Sequence, residues 1–226
     1  MVFVRREVFL TGGTGYMGTA LANALVSRGH QVRALVRPGS ERKLPSGCQI
    51  VHGDALRAET YASLVAPADT FVHLVGVAHP NPSKAAEFRK VDLASGQSAI
   101  EAARDAGMKH FIYVSVAQPA PVMRAYIQVR SECEAVIRQS GMNATILRPW
   151  YVLGPGHRWP YLLLPMYKLM ELLPSTRAGA ERLGLVTLEQ MVQALASAVE
   201  NPAQGVTIVE VPQIRVPRGF QRIATV

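Results

Sequence analysis

The chain has 226 residues, 49% of them apolar, two cysteines and a formal net charge of +8 at pH 7. That length and apolar content suit one compact α/β domain, and no low-complexity stretch marks a disordered tail. Lys and Arg are scattered, with no long basic run and no recognition helix, which argues against a nucleic-acid partner.

The N-terminus runs straight into an apolar strand, Val8–Leu10, and leaves no room for a signal peptide. Gly12, Gly15 and Gly18 follow, and an Ala- and Leu-rich segment, Tyr16–Arg28, predicts a helix directly after them. In such a strand–turn–helix, Gly12 permits the tight turn and Gly15 lets the backbone approach a pyrophosphate. Gly18 lets the helix pack close to the strand. The helix N-terminus, with its unpaired N–H groups and positive dipole end, favours phosphate there. Gln31–Val36 predicts the second strand, and no Asp or Glu follows it before Glu41. An acidic residue at this place would bind the ribose 2′-hydroxyl of NAD. Arg37 stands there instead, with Ser40, Arg42 and Lys43 nearby. Arg37 either pairs with a 2′-phosphate, so that NADP(H) is preferred and NAD(H) is secondary, or belongs to a solvated charged loop.

Gln49–His52 predicts a short strand and Ala58–Leu64 a short helix. Asp54 either lies near the adenine or caps the next turn. Thr70–Gly76 reads as a strand buried on both faces. His73 within it reads as a satisfied core histidine, and His79–Ser83, with two prolines, as a rigid loop over the cofactor site. Lys84–Ala106 predicts a long helix ended by Gly107, and His110–Ser115 a fifth strand. Arg124–Gln139 predicts a second long helix, stopped at Ser140-Gly141 before the strand Ala144–Leu147. This alternation means a doubly wound parallel sheet with helices on both faces.

After Arg148-Pro149 the pattern becomes irregular, with prolines and glycines and then the apolar stretch Tyr161–Leu173. Pro160, Pro165 and Lys168 leave this region too short and broken to span a bilayer. Trp150, Tyr151, His157, Arg158 and Trp159 either hold a flat or anionic substrate or floor a small lobe. Regularity returns with the helix Leu188–Glu200, capped by Thr187, and the strand Val206–Val211. The expected organisation is a Rossmann core over 1–148, a small C-terminal substrate lobe over 149–182, and a return to the core over 183–226. Cys48 and Cys133 lack metal-ligand spacing and read as reduced thiols, which suits the cytoplasm, and no metal site is expected.

With these segments placed, the chain resembles the short-chain dehydrogenase/reductase superfamily in its extended or atypical branch. The resemblance is carried by Thr11–Gly18, His52-Gly-Asp54, His73-Leu-Val-Gly76 and Tyr113-Val-Ser115, then by Tyr126-x-x-x-Arg130 and the run from Arg148-Pro149 to Gly154-Pro-Gly156. Ser131–Ile137 and Gly141–Pro149 are similar to strings in NmrA-like proteins and in relatives of the NAD(P)H-binding accessory subunit of respiratory complex I. The resemblance implies a Rossmann fold with cofactor contacts at Gly12, Thr14, Gly15, Tyr16, Met17 and Gly18. It also implies contacts at Arg37, Asp54, Ala55, Leu74, Val75, Gly76 and Pro149.

The resemblance further implies a catalytic unit in which Tyr126 moves a proton as hydride is transferred. Arg130, one helical turn on, would hold the ribose and act as charge partner, and Ser115 would contact substrate or ribose. Family members carry lysine where Arg130 stands, and often a second hydroxyl residue where Val116 stands. The expected activity is an NADP(H)-dependent oxidoreductase acting on a small carbonyl or alcohol. The alternatives are a non-catalytic NADP(H)-binding redox sensor or assembly factor with a protein partner, and a sugar-nucleotide epimerase or dehydratase. The short C-terminal lobe argues against the last. A monomer or a homodimer through the helices 84–106 and 124–139 is expected.

Overall fold

The computed structural model describes residues 4–155 and 179–216. Seven strands form one parallel sheet: β1 (Glu7–Thr11), β2 (Gln31–Val36), β3 (Cys48–His52), β4 (Thr70–His73), β5 (His110–Val114), β6 (Ala144–Arg148) and β9 (Val206–Glu210). Their order is β3-β2-β1-β4-β5-β6-β9, so the direction of winding reverses between β1 and β4. Crevices at such a reversal, outside the strand C-termini, are where open α/β sheets take ligands. A separate parallel pair, β7 (Tyr151–Leu153) with β8 (Leu185–Thr187), lies beyond Arg148.

Helices cover both faces. One face packs under α1 (Tyr16–Ser27), α5 (Leu188–Glu200) and α6 (Val211–Arg215), burying Leu21, Leu25, Met191 and Leu195. The other packs under α3 (Ala94–Asp105) and α4 (Arg124–Gln139). The strand register lines Phe9, Phe71 and Phe111 in one row across β1, β4 and β5. Their ring centroids are 5.1 and 5.4 Å apart, and Tyr61 stacks on Phe9 at 6.0 Å. One residue pair further along the same face, Thr11, His73 and Tyr113 form the next row, which borders the strand C-termini.

Several elements differ in extent from the sequence expectation. β4 stops at His73 rather than Gly76. Its pairing ends where β1 ends, at Thr11 opposite His73, because the chain turns away at Gly12. The segment Ala58–Leu64 is two 3-10 turns, Ala58–Thr60 and Ala62–Leu64. The long helix before Gly107 is α2 (Ala85–Glu87), then π-helical turns over Phe88–Leu93, then α3. The wider turn places Asp92 wholly inside, and such bulges recur at functional sites. α4 and α5 keep their expected bounds. Thr187 caps α5 through a capping box with Gln190. Of the irregular lobe, 156–178 lie outside the described residues, including His157, Arg158, Trp159 and the apolar stretch Tyr161–Leu173.

Candidate functional site

The turn between β1 and α1 sits at the reversal of strand order. Gly12 has φ +77°, and the Gly15 N–H donates to its carbonyl at 3.0 Å. Only glycine serves at position 18, because a Cβ there would collide with the Gly12 carbonyl oxygen. Gly15 caps α1 with an extended backbone and is exposed, and Thr14, Tyr16 and Met17 are half-buried around it. The first turn of α1 has neither a capping side chain nor an acidic residue. This cradle fits the pyrophosphate of a dinucleotide: it offers backbone N–H groups and positive dipole with no carboxylate to repel the phosphates.

Arg37 is exposed just past β2, and no carboxylate among the described residues pairs with it. The nearby acid, Glu41, is turned back onto its own loop. It accepts the Gly39 N–H at 3.0 Å and lies 3.6 Å from His52. Backbone hydrogen bonds at Glu41 and Gly39 hold the Glu41 carboxyl below its ordinary pKa. Asp54 makes a local turn, accepting the Leu56 N–H at 3.0 Å and lying 3.4 Å from Arg57, with Ala55 half-buried in the same turn. Leu74 and Val75 are half-buried against Gly12, and Pro149 is buried, its carbonyl accepting the Ala117 N–H at 2.9 Å.

Tyr126 and Arg130 share one face of α4, as their spacing requires. The guanidinium of Arg130 lies 5.1 Å from the centroid of the Tyr126 ring and 5.6 Å from that of Tyr113. Arg130 is not a free cation. It pairs with Asp92 at 2.5 Å and donates to the Val114 carbonyl at 2.9 Å and to the Tyr113 hydroxyl at 3.3 Å. The Asp92 carboxylate also accepts the Val77 N–H at 3.1 Å. Gly76 has no room for a side chain, since a Cβ there would meet the Arg130 fork and lie 2.8 Å from Asp92. Burial alone would lower the Arg130 pKa, but Tyr113, Tyr126 and Asp92 raise it, so the guanidinium stays charged. Burial pushes the Tyr126 phenol up, with Arg130 pulling it partly back. The phenol is therefore protonated at neutral pH.

Ser115 faces a second network. Its hydroxyl donates to Glu134 at 2.6 Å, and Glu134 also accepts from Gln118 at 3.0 Å and from Arg148 at 2.5 and 2.9 Å. Arg138 reaches the same carboxylate at 3.0 Å, and Arg148 bridges on to Glu210 at 3.0 Å. Burial alone would raise the Glu134 carboxyl, but hydrogen bonds from Arg148 and Ser115 outweigh it and leave the pKa lowered. Val116, which follows Ser115, is buried in the core. A cavity of about 510 Å³ opens beside this network, between the loop Gln118–Ala120, the first turns of α4 and Arg148.

The sequence pointed to Tyr126, Arg130 and Ser115 but not to Asp92, which pairs with Arg130, or Glu134, which accepts from Ser115. Glu134 had a local signal, since 126, 130 and 134 follow one another at i+4 on a single helix. Asp92 had none, because it comes from 38 residues away through a π-helical turn. His73 is the satisfied core histidine expected from its strand. It bonds Thr11 at 2.8 Å and Ser95 at 3.4 Å, and burial lowers its pKa to about 3. Among the described residues, no cluster of His, Cys, Asp or Glu could hold a metal ion, and no helix is long and apolar enough to cross a membrane.

Comparison with known proteins agrees with this cradle. A family model described as NAD(P)H-binding matches residues 12–158. A ceramide reductase of Caulobacter vibrioides is 27% identical over 213 residues, 93% of this chain and 66% of that protein. The photosystem II assembly factor Ycf39 of Trieres chinensis is 25% identical over 145 residues, 63% of this chain and 44% of that protein. This chain thus spans less than two thirds of either relative. The Bordetella bronchiseptica enzyme WbmH, solved in complex with NAD+, shares the fold, with a TM-score of 0.68 at 18% identity over 93% of this chain and 79% of that one. The chain belongs to the NAD(P)H-binding family of the short-chain dehydrogenase/reductase superfamily, in its extended, atypical branch.

Proposed function

We propose that the chain is an NADP(H)-dependent reductase of a small carbonyl compound. In this reading Gly12, Thr14, Gly15, Tyr16, Met17 and Gly18 hold the pyrophosphate. Arg37 takes the 2′-phosphate, Asp54 and Ala55 flank the adenine, and Leu74, Val75, Gly76 and Pro149 line the rest of the cofactor's path. A bound dihydronicotinamide would supply the hydride. Tyr126 gives its phenolic proton to the carbonyl oxygen as negative charge develops there. Arg130 does not grip the ribose as a mobile side chain. It stays under the Tyr126 ring and steadies the phenolate that proton transfer leaves behind. Ser115, tied to Glu134, positions the wall of the substrate cavity. Residues 1–148 would be the cofactor core, 149–182 the small substrate lobe, and 183–226 the return to the core. The free thiols Cys48 and Cys133 suit the cytoplasm, and the chain would be a monomer or a homodimer, which light scattering would tell apart.

The observation that carries this reading is Tyr126 beside a fixed cation, Arg130, which itself abuts Gly76 just past β4, the strand next to β1 and its glycine turn. The test is NADPH oxidation on a panel of carbonyls, with Tyr126→Phe as control. A second reading has its own support: Arg130 is ion-paired with Asp92, the Ser115 hydroxyl donates to Glu134, and one relative is an assembly factor. In that reading the chain binds NADP(H) and reports redox state to a protein partner. Tight NADPH binding with no turnover on any carbonyl supports it over the reductase.

A further inference from the structure

Tyr16 is the first residue of α1, so its backbone N–H belongs to the phosphate cradle, while its side chain reaches out of it. The hydroxyl is shut off from solvent and lies against Gly154, where an added Cβ would take the place of the hydroxyl oxygen. Leu188, the first residue of α5, borders the same spot, its Cβ 3.2 Å from such a side chain. Gly154 directly follows β7, whose pairing with β8 runs only from Tyr151 opposite Leu185 to Leu153 opposite Thr187. A two-stranded pair that short does not hold itself together in water, so its order depends on what it packs against. On the β8 side the supports come from the core. Val186 is buried in the same cluster as Leu21 and Leu25 of α1, and Arg215 donates to the Leu185 carbonyl at 3.0 Å and fills the place of a side chain at Gly184. At Gly154 the support comes from the cradle itself.

We infer that Tyr16 carries the occupancy of the cofactor cradle to the β7–β8 pair. The first N–H groups of α1 have no capping side chain, and helix ends of that kind fray. Once they donate to a pyrophosphate the turn is fixed, and with it the Cα from which the phenol reaches Gly154. Linkage makes the effect reciprocal: a change that drives the phenol off Gly154 weakens cofactor binding by the factor through which the cofactor steadies that contact. Tyr151–Gly154 opens the segment proposed above as the substrate lobe, so a filled cradle sets where that segment starts. The inference rests on the cofactor cradle and holds whether the chain is a reductase or a sensor.

Amide hydrogen exchange of the full chain, read by mass spectrometry with and without saturating NADPH, tests this. NADPH is expected to slow exchange both over the turn 12–18 and over Tyr151–Gly154, by about five-fold or more at the latter. In Tyr16→Ala the slowing at the turn persists and that at Tyr151–Gly154 is lost. Calorimetric titration reads the reverse direction. Gly154→Ala, whose methyl displaces the phenol, weakens NADPH binding by about five-fold or more in the parent chain and leaves it unchanged in the Tyr16→Ala background. Slowing at the turn alone, slowing at Tyr151–Gly154 that survives Tyr16→Ala, or a Gly154→Ala effect equal in both backgrounds overturns the inference and leaves the cradle standing. No slowing at the turn overturns the cradle and the inference together.

Discussion

Breaking the Asp92–Arg130 pair destabilises the protein far more than a surface substitution does. Both side chains are inside, at 0% and 6% exposure, and meet at 2.5 Å. Asp92→Ala leaves a charged guanidinium in the core with no counter-ion, and removing one partner of such a pair costs about 3–5 kcal/mol. In a domain of this size that lowers Tm by roughly 6–20 °C. Arg130→Met costs at least as much, because it strands Asp92 and also frees the Val114 carbonyl and the Tyr113 hydroxyl. The double variant Asp92→Ala, Arg130→Met removes both charges and recovers part of the loss. Urea unfolding of the cofactor-free chain, read by circular dichroism, gives all four corners of the cycle. The expected coupling is about 2 kcal/mol or more. A loss below about 1 kcal/mol in Asp92→Ala, or simple additivity, refutes the claim that Asp92 fixes Arg130.

Gly18→Ala forces the first turn of α1 away from Gly12, so NADPH affinity falls at least ten-fold and stability falls by about 1–3 kcal/mol. Unchanged affinity in a calorimetric titration contradicts the cradle. Arg37→Ala weakens NADPH binding by roughly ten-fold or more and leaves NADH binding nearly unchanged; parallel titrations of the two cofactors check it. Stability falls as pH drops from 7 to about 5.5. His73 and His110 are buried with pKa values lowered from 6.5 to about 3 and about 4, so only the unfolded chain takes up protons in that window. The two together contribute a loss of about 2 kcal/mol. Stability that is flat or rising over this interval refutes their neutral burial.

The sheet and its winding were legible because apolar strands and helices alternate in the sequence with clear glycine stops, as at Gly107 and Gly141, both at positive φ. The bounds of α4 and α5 were legible for the same reason, reinforced at α5 by Thr187 and Gln190. The end of β4 was not, since apolar residues continue to Val77 while the strand stops where its pairing ends, at Thr11 of β1 and Tyr113 of β5. The π-helical turns over Phe88–Leu93 were not legible either. Nothing in that run breaks a helix, and the turn fits a contact with Arg130 that is remote in sequence. Spacing placed Tyr126 and Arg130 on one face but said nothing of what Arg130 touches. Its carboxylate partner, Asp92, comes from a distant π-helical turn, and no spacing in the sequence signals that pair.

Pre-steady-state oxidation of NADPH, compared in the parent chain and in Tyr126→Phe on the best carbonyl of a panel, tests the central claim most directly. The account predicts a fall in the hydride-transfer rate of about 10²–10⁴-fold, with NADPH affinity preserved. Equal rates in the two proteins would contradict it.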